Sequence, residues 1–443
     1  MFQSIAGTKN YFLVLFLLTI LSPSKLSLAK LSPSKLSPSK LSQPKLSPSK
    51  LAATPVVQQG FIDVRTSDID QNRISLRGSW FYFENQLLSP QEVIHAPKTF
   101  LEFPKAWNET RVNGLGYGTY AIYILAPKEI NSLALELPQI YSSYQLWVNG
   151  QSMASNGKVG KTAEETVPQW MPQTVSFENS GDTIQVVLQI ANFHHHLGGS
   201  KDPIYLGSSE LLQGHRHLSV TANLAESALL ALLAIGFLIT YFTLSTRKKV
   251  IMYFALLCLT WSVRVGFSNL YIFISFIPDF DWHSMVRIEY ATLFLTMIWS
   301  ILFLSRVFVK EENKIFRYFL VGCNCIFIAF TLIAAPTSFT RWITVYLTFC
   351  AILLVYSAVI VLRAWINQRT GSTYLTISIL LGLLVFSYDV YAYEGFSTYN
   401  PIIFSAGYMT IFSLMGIVLL KHLNIIKSSR QSISILTYKD LYK

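Results

Sequence analysis

The 443-residue sequence is 51% hydrophobic and only 13% charged, whereas soluble globular domains carry about 25% charged residues. This composition excludes an ordinary soluble protein of this length. The net charge of +11 at pH 7 is unevenly spread, since residues 1–51 contain seven Lys and no acidic residue. Residues 52–217 contain 11 basic and 15 acidic residues, and residues 218–443 contain 17 and nine. Three zones of different composition predict three regions of different structure.

The first zone has the pattern of a signal peptide followed by a low-complexity segment. Lys9 precedes the apolar run 11–21, which is too short to span a bilayer, and residues 27–29 offer a small-x-small cleavage site. We therefore expect residues 1–29 to be a signal peptide. From residue 21 the pentad LSPSK, with variants, occurs six times. Because Pro, Ser and Lys at this density cannot bury a core, residues 30–55 should form a disordered stalk, either a neutral spacer or a segment that adheres to an anionic surface.

The second zone, residues 56–217, predicts an all-β domain. Its short runs are rich in Tyr, Val, Ile and Leu and are separated by Gly, Asn and Pro. Many short strands with such turns favour an antiparallel sandwich or a jelly roll. In the run YQLWVNG (144–150), alternate side chains should face opposite sides of a sheet, and Asn149-Gly150 predicts a tight turn.

Aromatic side chains of this zone are candidates for ligand binding. Sugars stack on aromatic faces, while a few polar groups fix their orientation. The candidates are Tyr141, Tyr144, Trp147, and Trp170 in the loop VPQWMPQ. For each of them, packing in the core of the domain is the alternative.

The triplet His194-His195-His196 raises the question of a metal site. On a strand, His194 and His196 would share one face. A metal site would need a third or fourth ligand, and the sequence shows no Cys or HxH partner for the triplet. Ligand contact, loop hydrogen bonding and plain structure are the other roles. We expect no metal and no cofactor.

The third zone, residues 218–425, predicts a membrane domain with a short tail (426–443). It contains seven apolar segments near the ~20 residues that cross a bilayer core. The segments are 222–244, 250–274, 286–305, 317–336, 342–362, 374–394 and 401–423. If residues 56–217 are extracytoplasmic, the inward connections and the tail carry 14 Lys and Arg, while the outward connections hold only Arg341, with Arg287 at a helix edge. This asymmetry follows the positive-inside rule and predicts a cytoplasmic C-terminus.

Three charged residues lie inside these segments at similar depth. Counting about 1.5 Å per residue from the inner ends, Arg264 lies roughly 21 Å up and Asp389 roughly 22 Å. Glu289 lies near roughly 25 Å in a ~30 Å core. An isolated charge there costs at least ~2.5–3.5 kcal/mol on insertion scales, so we expect the three to face inward and pair. The cluster could be a static clip, a rearranging element that couples the outer domain to the inner face, or an ion path.

Several short motifs resemble one receptor family. In chain order they are Gly78-Ser79-Trp80-Phe81-Tyr82, Phe103-Pro104 with Trp107, Gly118-Thr119-Tyr120, Val148-Asn149-Gly150, Gly157-Lys158-Val159-Gly160, Asn192-Phe193 with Gly198-Gly199, and Leu206-Gly207. Together they resemble the periplasmic jelly-roll domain of bacterial seven-transmembrane receptors with diverse intracellular signalling modules. The aromatic strand and the VNG turn are also similar to the sugar-binding, galactose-binding-like sandwiches of glycosidases. The membrane zone resembles the same receptors, with Arg264 and Asn269 in the second helix, Glu289 in the third and Asp389 in the sixth.

The resemblance implies a sensor that is not an enzyme. Its jelly roll would bind a carbohydrate-like ligand, and its helices would pass the signal inward. Only about 20 residues follow Leu423, too few for a kinase, cyclase or phosphatase, so the effector would be a separate cytoplasmic protein or the chain a receptor remnant. Expected partners are the lipid bilayer, the ligand, that effector and a second copy in a homodimer, but not nucleic acid. Alternatives are a transporter, for which repeated halves are missing, and a carbohydrate-binding membrane protein without signalling.

Overall fold

A computed structural model describes residues 55–109, 113–179, 181, 183–244, 248–277, 279–393 and 400–422, without the side chains of residues 389, 392 and 393. The predicted signal peptide, the predicted stalk up to residue 54 and the predicted tail lie outside these residues. The described chain consists of a β domain followed by a set of long apolar helices, as the sequence predicted.

The β domain is built from short strands joined by turns. The strands are β1 (Phe61–Asp63), β2 (Ile74–Ser75), β3 (Gly78–Glu84), β4 (Thr99–Phe103), β5 (Lys105–Ala106), β6 (Gly116–Leu125), β7 (Ser132–Leu137), β8 (Ile140–Tyr141), β9 (Ser143–Val148), β10 (Gln151–Asn156), β11 (Gln173–Glu178), β12 (Thr183–Asn192), β13 (Gly199–Ser200) and β14 (Tyr205–Ser208). A short helix, α1 (Pro90–His95), lies between β3 and β4, and Ser89 caps it through the backbone N–H of Glu92. The predicted turn at Asn149-Gly150 is confirmed: both residues have positive φ (49° and 79°), as a two-residue hairpin loop requires.

The strands form a sandwich of two main sheets. The larger sheet has the order β10-β9-β12-β6-β3-β4, with β1 added parallel to β6, and the second has the order β11-β7-β14-β2. A small sheet, β5-β13-β8, closes one end. Alternate residues of both main sheets point into one shared core, which is how a period of two buries one face of each sheet.

Two buried tryptophans of this core, Trp80 and Trp107, have their indole N–H groups satisfied. The indole N–H of Trp80 donates to the Leu76 carbonyl at 2.8 Å, and that of Trp107 donates to the Tyr120 hydroxyl at 2.8 Å. Both tryptophans are fully buried. Hydrogen-bonded indoles allow large rings to fill the space between the sheets without stranding a polar group.

The second part of the chain is helical. Its helices are α2 (Ser209–Thr243), α3 (Lys249–Gly266), α4 (Trp282–Val307), α5 (Lys314–Ile333), α6 (Pro336–Thr340), α7 (Ile343–Ile366), α8 (Ser372–Tyr393) and α9 (Pro401–His422). Among the described residues, six helices are long and apolar enough to cross a bilayer, and α8 contains a shorter apolar stretch over Ser372–Tyr388. Neighbouring helices pack in sequence from α2 to α5 and from α7 to α9, and α9 returns to α2, so the long helices form a closed bundle.

Helix α2 differs from the prediction, because it begins 13 residues before the apolar segment that starts at 222. It follows β14 directly, and Ser208 caps it by accepting a hydrogen bond from the Leu211 N–H. Its first turns pack on the second sheet, where Gln213 donates to the Thr174 carbonyl at 3.3 Å and His215 lies 3.4 Å from Glu136. The predicted boundary between residues 217 and 218 therefore falls inside one continuous helix.

Helix α3 is shorter than predicted. The predicted segment 250–274 continues past Gly266, but the helix ends there. Asn269, expected in this helix, lies beyond its end with φ 57°. Tyr271 follows with φ 49° and is fully buried. The apolar residues after Gly266 pack under the β domain instead of continuing the span, which an apolar count cannot distinguish from a helix.

Candidate functional site

A cavity of about 340 Å³ lies where the sandwich meets the bundle. We call it the junction cavity. The sandwich contributes Gln139, Tyr141, Trp170, His195, Lys201 and Asp202 to its wall. The bundle contribution includes Asn223, Glu226, Trp261, Arg264, Ser268, Asn269, Glu289, Tyr290, Gly382, Phe386, Phe404, Tyr408 and Phe412. Three of the predicted ligand-binding residues and two of the predicted intramembrane charges thus line one space.

The sandwich side of the cavity is an aromatic cluster built around His195. Tyr141 ends β8, Trp170 lies between β10 and β11, and His195 follows β12. The Tyr141 and His195 rings are stacked with centroids 4.7 Å apart, and Trp170 meets both rings edge-on, at 5.6 and 5.1 Å. Trp170 and His195 are almost fully buried. The cluster is held by ring packing from three loops that the strand order brings to one end of the sandwich.

His195 is held neutral. Burial lowers its pKa to about 3, and this outweighs the carbonyl of Leu197, which favours the charged form. The Leu197 N–H donates to Nδ1 at 3.0 Å, so Nδ1 acts as an acceptor. A neutral ring can stack on Tyr141 without bringing a second positive charge beside Lys201.

Asp202 is the acidic residue of the sandwich side. Burial raises its pKa to about 6, although the charges of Lys201 and Arg77 work in the opposite direction. Its carboxyl group therefore gains or loses a proton close to neutral pH, in the wall of the cavity.

Aromatic contacts join the two domains beside the cavity. The Trp170 ring meets Trp282 of α4 edge-on at 5.1 Å and lies 5.7 Å from Tyr271. His194 meets Trp282 and His283 at 6.4 and 5.7 Å. These contacts dock the end of the sandwich onto the first residues of α4 and onto Tyr271.

The other two histidines of the triplet hold loops in place. His194 Nε2 lies 3.2 Å from the Ala163 carbonyl and 3.1 Å from the Thr166 carbonyl, so it serves as a donor. The backbone N–H of His196 donates to Thr340 Oγ1 at 3.2 Å, which ties the sandwich to α6. Within the described part of the chain, no group of three or more His, Cys, Asp or Glu side chains is placed to hold a metal ion.

Two predicted ligand-binding residues lie away from the junction cavity. Tyr144 is fully buried in the core between the sheets. Trp147 packs with Phe81 and Val93 on the opposite face of the larger sheet, under α1. The alternation of side chains along β9 explains why neighbouring candidates end up in different places.

Arg264 contacts Glu289 through a backbone carbonyl and not through the carboxylate. Arg264 Nη1 donates to the backbone carbonyl of Glu289 at 2.8 Å, and its guanidinium lies 5.9 Å from the centre of the Trp261 ring. The Glu289 carboxylate instead accepts a hydrogen bond from the Tyr271 hydroxyl at 3.2 Å. The side chain of Asp389, the third predicted member, lies outside what the structure describes.

Glu226 is a charged residue of the cavity that the sequence reasoning missed. It lies on α2 and is only 3% exposed, and Trp261 Nε1 donates to its Oε1 at 3.1 Å. Nearby, Ser405 donates to Asn223 at 3.1 Å. The sequence did contain a signal for it, because Glu226 is a charged residue inside the predicted apolar segment 222–244. Arg264 was recognised by the same signal in the segment that follows.

One family model matches the helical part of the chain. Residues 227–426 match a family model described as 7TM diverse intracellular signalling. No curated protein matches the sequence. The chain is similar to a solved GH2 beta-galacturonidase from Eisenbergiella tayi bound to galacturonate, at 13% identity over 33% of this chain and 26% of that chain, with a TM-score of 0.24.

Two beta-glucuronidases show a similar degree of likeness. The enzyme from Faecalibacterium prausnitzii matches at 12% identity over 30% of this chain and 31% of that chain, with a TM-score of 0.24. The enzyme from Parabacteroides merdae matches at 12% identity over 31% and 22%, with a TM-score of 0.26. The chain thus spans less than a third of the length of these enzymes. The apolar helices and the family match together confirm the predicted resemblance for the membrane region, whose residues 227–426 match the family described as 7TM diverse intracellular signalling.

Proposed function

We propose that the chain is a receptor that binds a small carbohydrate-like molecule in the junction cavity and passes the signal through the helices to a separate cytoplasmic effector. This proposal rests on one observation: both the sandwich and the bundle contribute residues to the cavity wall. A ligand there would touch Tyr141 and Trp170 of the sandwich and Arg264 and Glu289 of the bundle at once. The volume of about 340 Å³ is at the lower end of the roughly 300–1,000 Å³ typical of small-molecule sites.

Aromatic walls with a few fixed polar groups favour a polyhydroxylated ligand. Tyr141 and Trp170 offer ring surfaces, and Gln139, Lys201 and Asp202 offer donors and acceptors at the same end. Sugars need this combination, because C–H faces stack on rings while hydroxyl groups form hydrogen bonds. We further propose that the two residues which point elsewhere, Tyr144 and Trp147, and the remaining histidines His194 and His196 support the domain and do not touch the ligand.

The proposed orientation places the sandwich outside a bacterial plasma membrane and the C-terminus in the cytoplasm. Support comes from the exposed basic residues at the end of the bundle opposite the sandwich, which are Lys248, Lys249, Arg306, Lys310, Lys314 and Arg363. The proposed division of the chain is a signal peptide (1–29), a stalk (30–55), the ligand-binding sandwich, which ends where α2 begins at Ser209, the seven-helix domain up to residue 425, and a tail (426–443).

The experiment uses the full-length protein in lipid nanodiscs. A carbohydrate panel is screened for compounds that raise the midpoint of thermal unfolding, and a fluorophore on Lys310→Cys, in a background without the native cysteines, reports changes at the inner face. Gly382→Leu should abolish both responses, because Gly382 lines the cavity, the Cβ added there has no contact closer than Ile411 at 3.9 Å, and the rest of the leucine side chain would take up cavity space.

The matched control is Gly236→Leu, the same change at an exposed helical glycine with no heavy atom near its added Cβ. A ligand that still binds Gly382→Leu with wild-type affinity would move the binding site out of the cavity. Binding without any inner-face response would argue for a carbohydrate-binding membrane protein that does not signal.

A further inference from the structure

The bundle part of the junction cavity carries more negative than positive charge. Among the described lining residues, Glu226 and Glu289 supply two carboxylates and Arg264 supplies one guanidinium. At the sandwich end, Lys201 and Asp202 carry opposite charges side by side. The described wall therefore leaves one carboxyl group without a basic counterpart.

Glu226 is the carboxylate without a basic partner. Its described neighbours within hydrogen-bonding distance include the neutral indole N–H of Trp261, and no described Lys, Arg or His lies within 4 Å of its oxygens. Arg264 is directed to the Glu289 carbonyl instead. Because a buried carboxylate is costly without a counter-charge, this arrangement favours a cation in the adjacent space.

Aromatic rings surround that space. Trp261 lies 4.3 Å from Tyr408 between centroids, and Tyr408 is stacked on Phe404 at 6.3 Å. All three line the cavity. Ring faces next to a carboxylate are the usual surroundings of a bound ammonium group, which is attracted to both.

A separate observation points to a ligand at the sandwich end. Trp170 lines the cavity, is only 1% exposed, and its Nε1 has no hydrogen-bond partner among the described residues. A buried indole N–H normally donates to an acceptor. A ligand with a hydroxyl or carbonyl oxygen would supply one.

We propose that the ligand of the junction cavity is a small ammonium compound carrying hydroxyl groups, such as an amino sugar, with its cationic group next to Glu226 and an acceptor oxygen near Trp170. This inference rests on the receptor function proposed above and adds a charge to the ligand. An ethanolamine lipid headgroup has the same ammonium chemistry, and the experiment separates the two sources.

The test compares glucosamine with glucose and N-acetylglucosamine, its two neutral counterparts. The full-length protein is held near neutral pH in nanodiscs of phosphatidylglycerol alone. At about ten times the Kd, glucosamine should raise the unfolding midpoint by roughly 2–4 °C or more, and the neutral sugars by clearly less. Glu226→Gln should remove this difference, since the amide keeps an acceptor for Trp261 but no charge. Glu210→Gln, the same change at an exposed position of α2, should keep it.

The outcomes separate the two proposals. Equal shifts for charged and neutral sugars, both lost in Gly382→Leu, would overturn the inference and leave the receptor proposal intact. A glucosamine shift that survives in both Glu226→Gln and Glu289→Gln would also overturn it, and the second variant covers the case in which the first does not fold. No response to glucosamine or to simple ammonium compounds would do the same. A midpoint raised by phosphatidylethanolamine nanodiscs, with the rise lost in Glu226→Gln, would support the ammonium site and assign it to a lipid headgroup.

Discussion

Replacing His195 with Gln should change how the stability of the protein responds to acid. Burial holds the pKa of His195 at about 3, compared with 6.5 for an ordinary histidine. A lowered pKa means that the folded state excludes the proton, so this contribution to stability is present above pH 6.5 and is lost as the pH falls toward 3. At pH 5, His195 is protonated in the unfolded chain but not in the folded chain. This difference lowers the free energy of unfolding by about 2 kcal/mol relative to pH 7.5.

Asp202 acts in the opposite direction at the same cavity. Burial raises its pKa to about 6 from 3.8, so the folded state binds the proton more tightly than the unfolded chain. Its contribution is fully present below pH 3.8 and is lost as the pH rises through 6. On acidification from pH 7.5 to pH 5, Asp202 raises the free energy of unfolding by about 1.4 kcal/mol. Together, His195 and Asp202 therefore lower it by only about 0.6 kcal/mol.

In the wild type, the pH dependences that His195 and Asp202 give to the free energy of unfolding nearly cancel. Each single variant should therefore reveal the pH dependence that the remaining residue causes. On acidification from pH 7.5 to 5, His195→Gln should gain about 2 kcal/mol relative to the wild type, and Asp202→Asn should lose about 1.4 kcal/mol. At roughly 2–4 °C per kcal/mol, both differences are readable as midpoints of thermal unfolding followed by tryptophan fluorescence in nanodiscs. His95→Gln, which removes an exposed histidine from α1, is the matched control. Profiles of His195→Gln and wild type that run parallel from pH 5 to 7.5 would refute the buried neutral histidine.

Two further predictions concern charges in the helical region, and the second of them is compared with an exposed ion pair of the β domain. Arg264→Leu should lower the yield of folded protein, because Glu289 then keeps its desolvation cost without a positive charge nearby, and adding Glu289→Gln should restore part of that yield. Folded yields that are strictly additive would show that the two groups do not interact. The 2.6 Å ion pair between Glu312 and Arg317 is almost fully buried, so Glu312→Ala should cost about 3–5 kcal/mol and a double Leu variant less. The 2.6 Å pair between Arg65 and Asp63 is half exposed, and because solvent screens it, its removal should shift the denaturation midpoint clearly less than the removal of the buried pair does.

Much of the fold could be predicted from local sequence. The later membrane helices begin and end within a few residues of the predicted segments, because about 20 apolar residues are needed to cross a bilayer and polar residues end the run. The start of α2 at Ser209 could not be predicted this way. Residues 209–217 are mostly polar, and they are helical because the sheet below offers partners such as Glu136 for His215.

The site could be predicted only as two separate groups. Tyr141 and Trp170 followed from the chemistry of sugar binding, and Arg264 and Glu289 from the cost of charge in a membrane. Nothing in either pattern indicates that the two groups meet, since their contact depends on the docking of Trp170 against Trp282 more than 100 positions away. Counting residues along each helix predicted that the charged groups lie at a similar depth. It did not predict that the guanidinium of Arg264 donates to the backbone carbonyl of Glu289.

The position of the cavity bears on how the proposed receptor would transmit a signal. Among the described residues, the sandwich is joined to the bundle through α2, whose first turns are anchored to the second sheet, through the hydrogen bond from His196 to Thr340, and through the aromatic contact of Trp170 with Trp282. Helix α2 also carries Glu226 into the cavity, and α4 carries both Trp282 and Glu289. A ligand that draws Glu226 and Trp170 toward itself would therefore act on α2 and α4 together. Because packed helices move as rigid bodies between discrete arrangements, a small displacement at this end would reach the inner ends of both helices without a flexible link between the two domains.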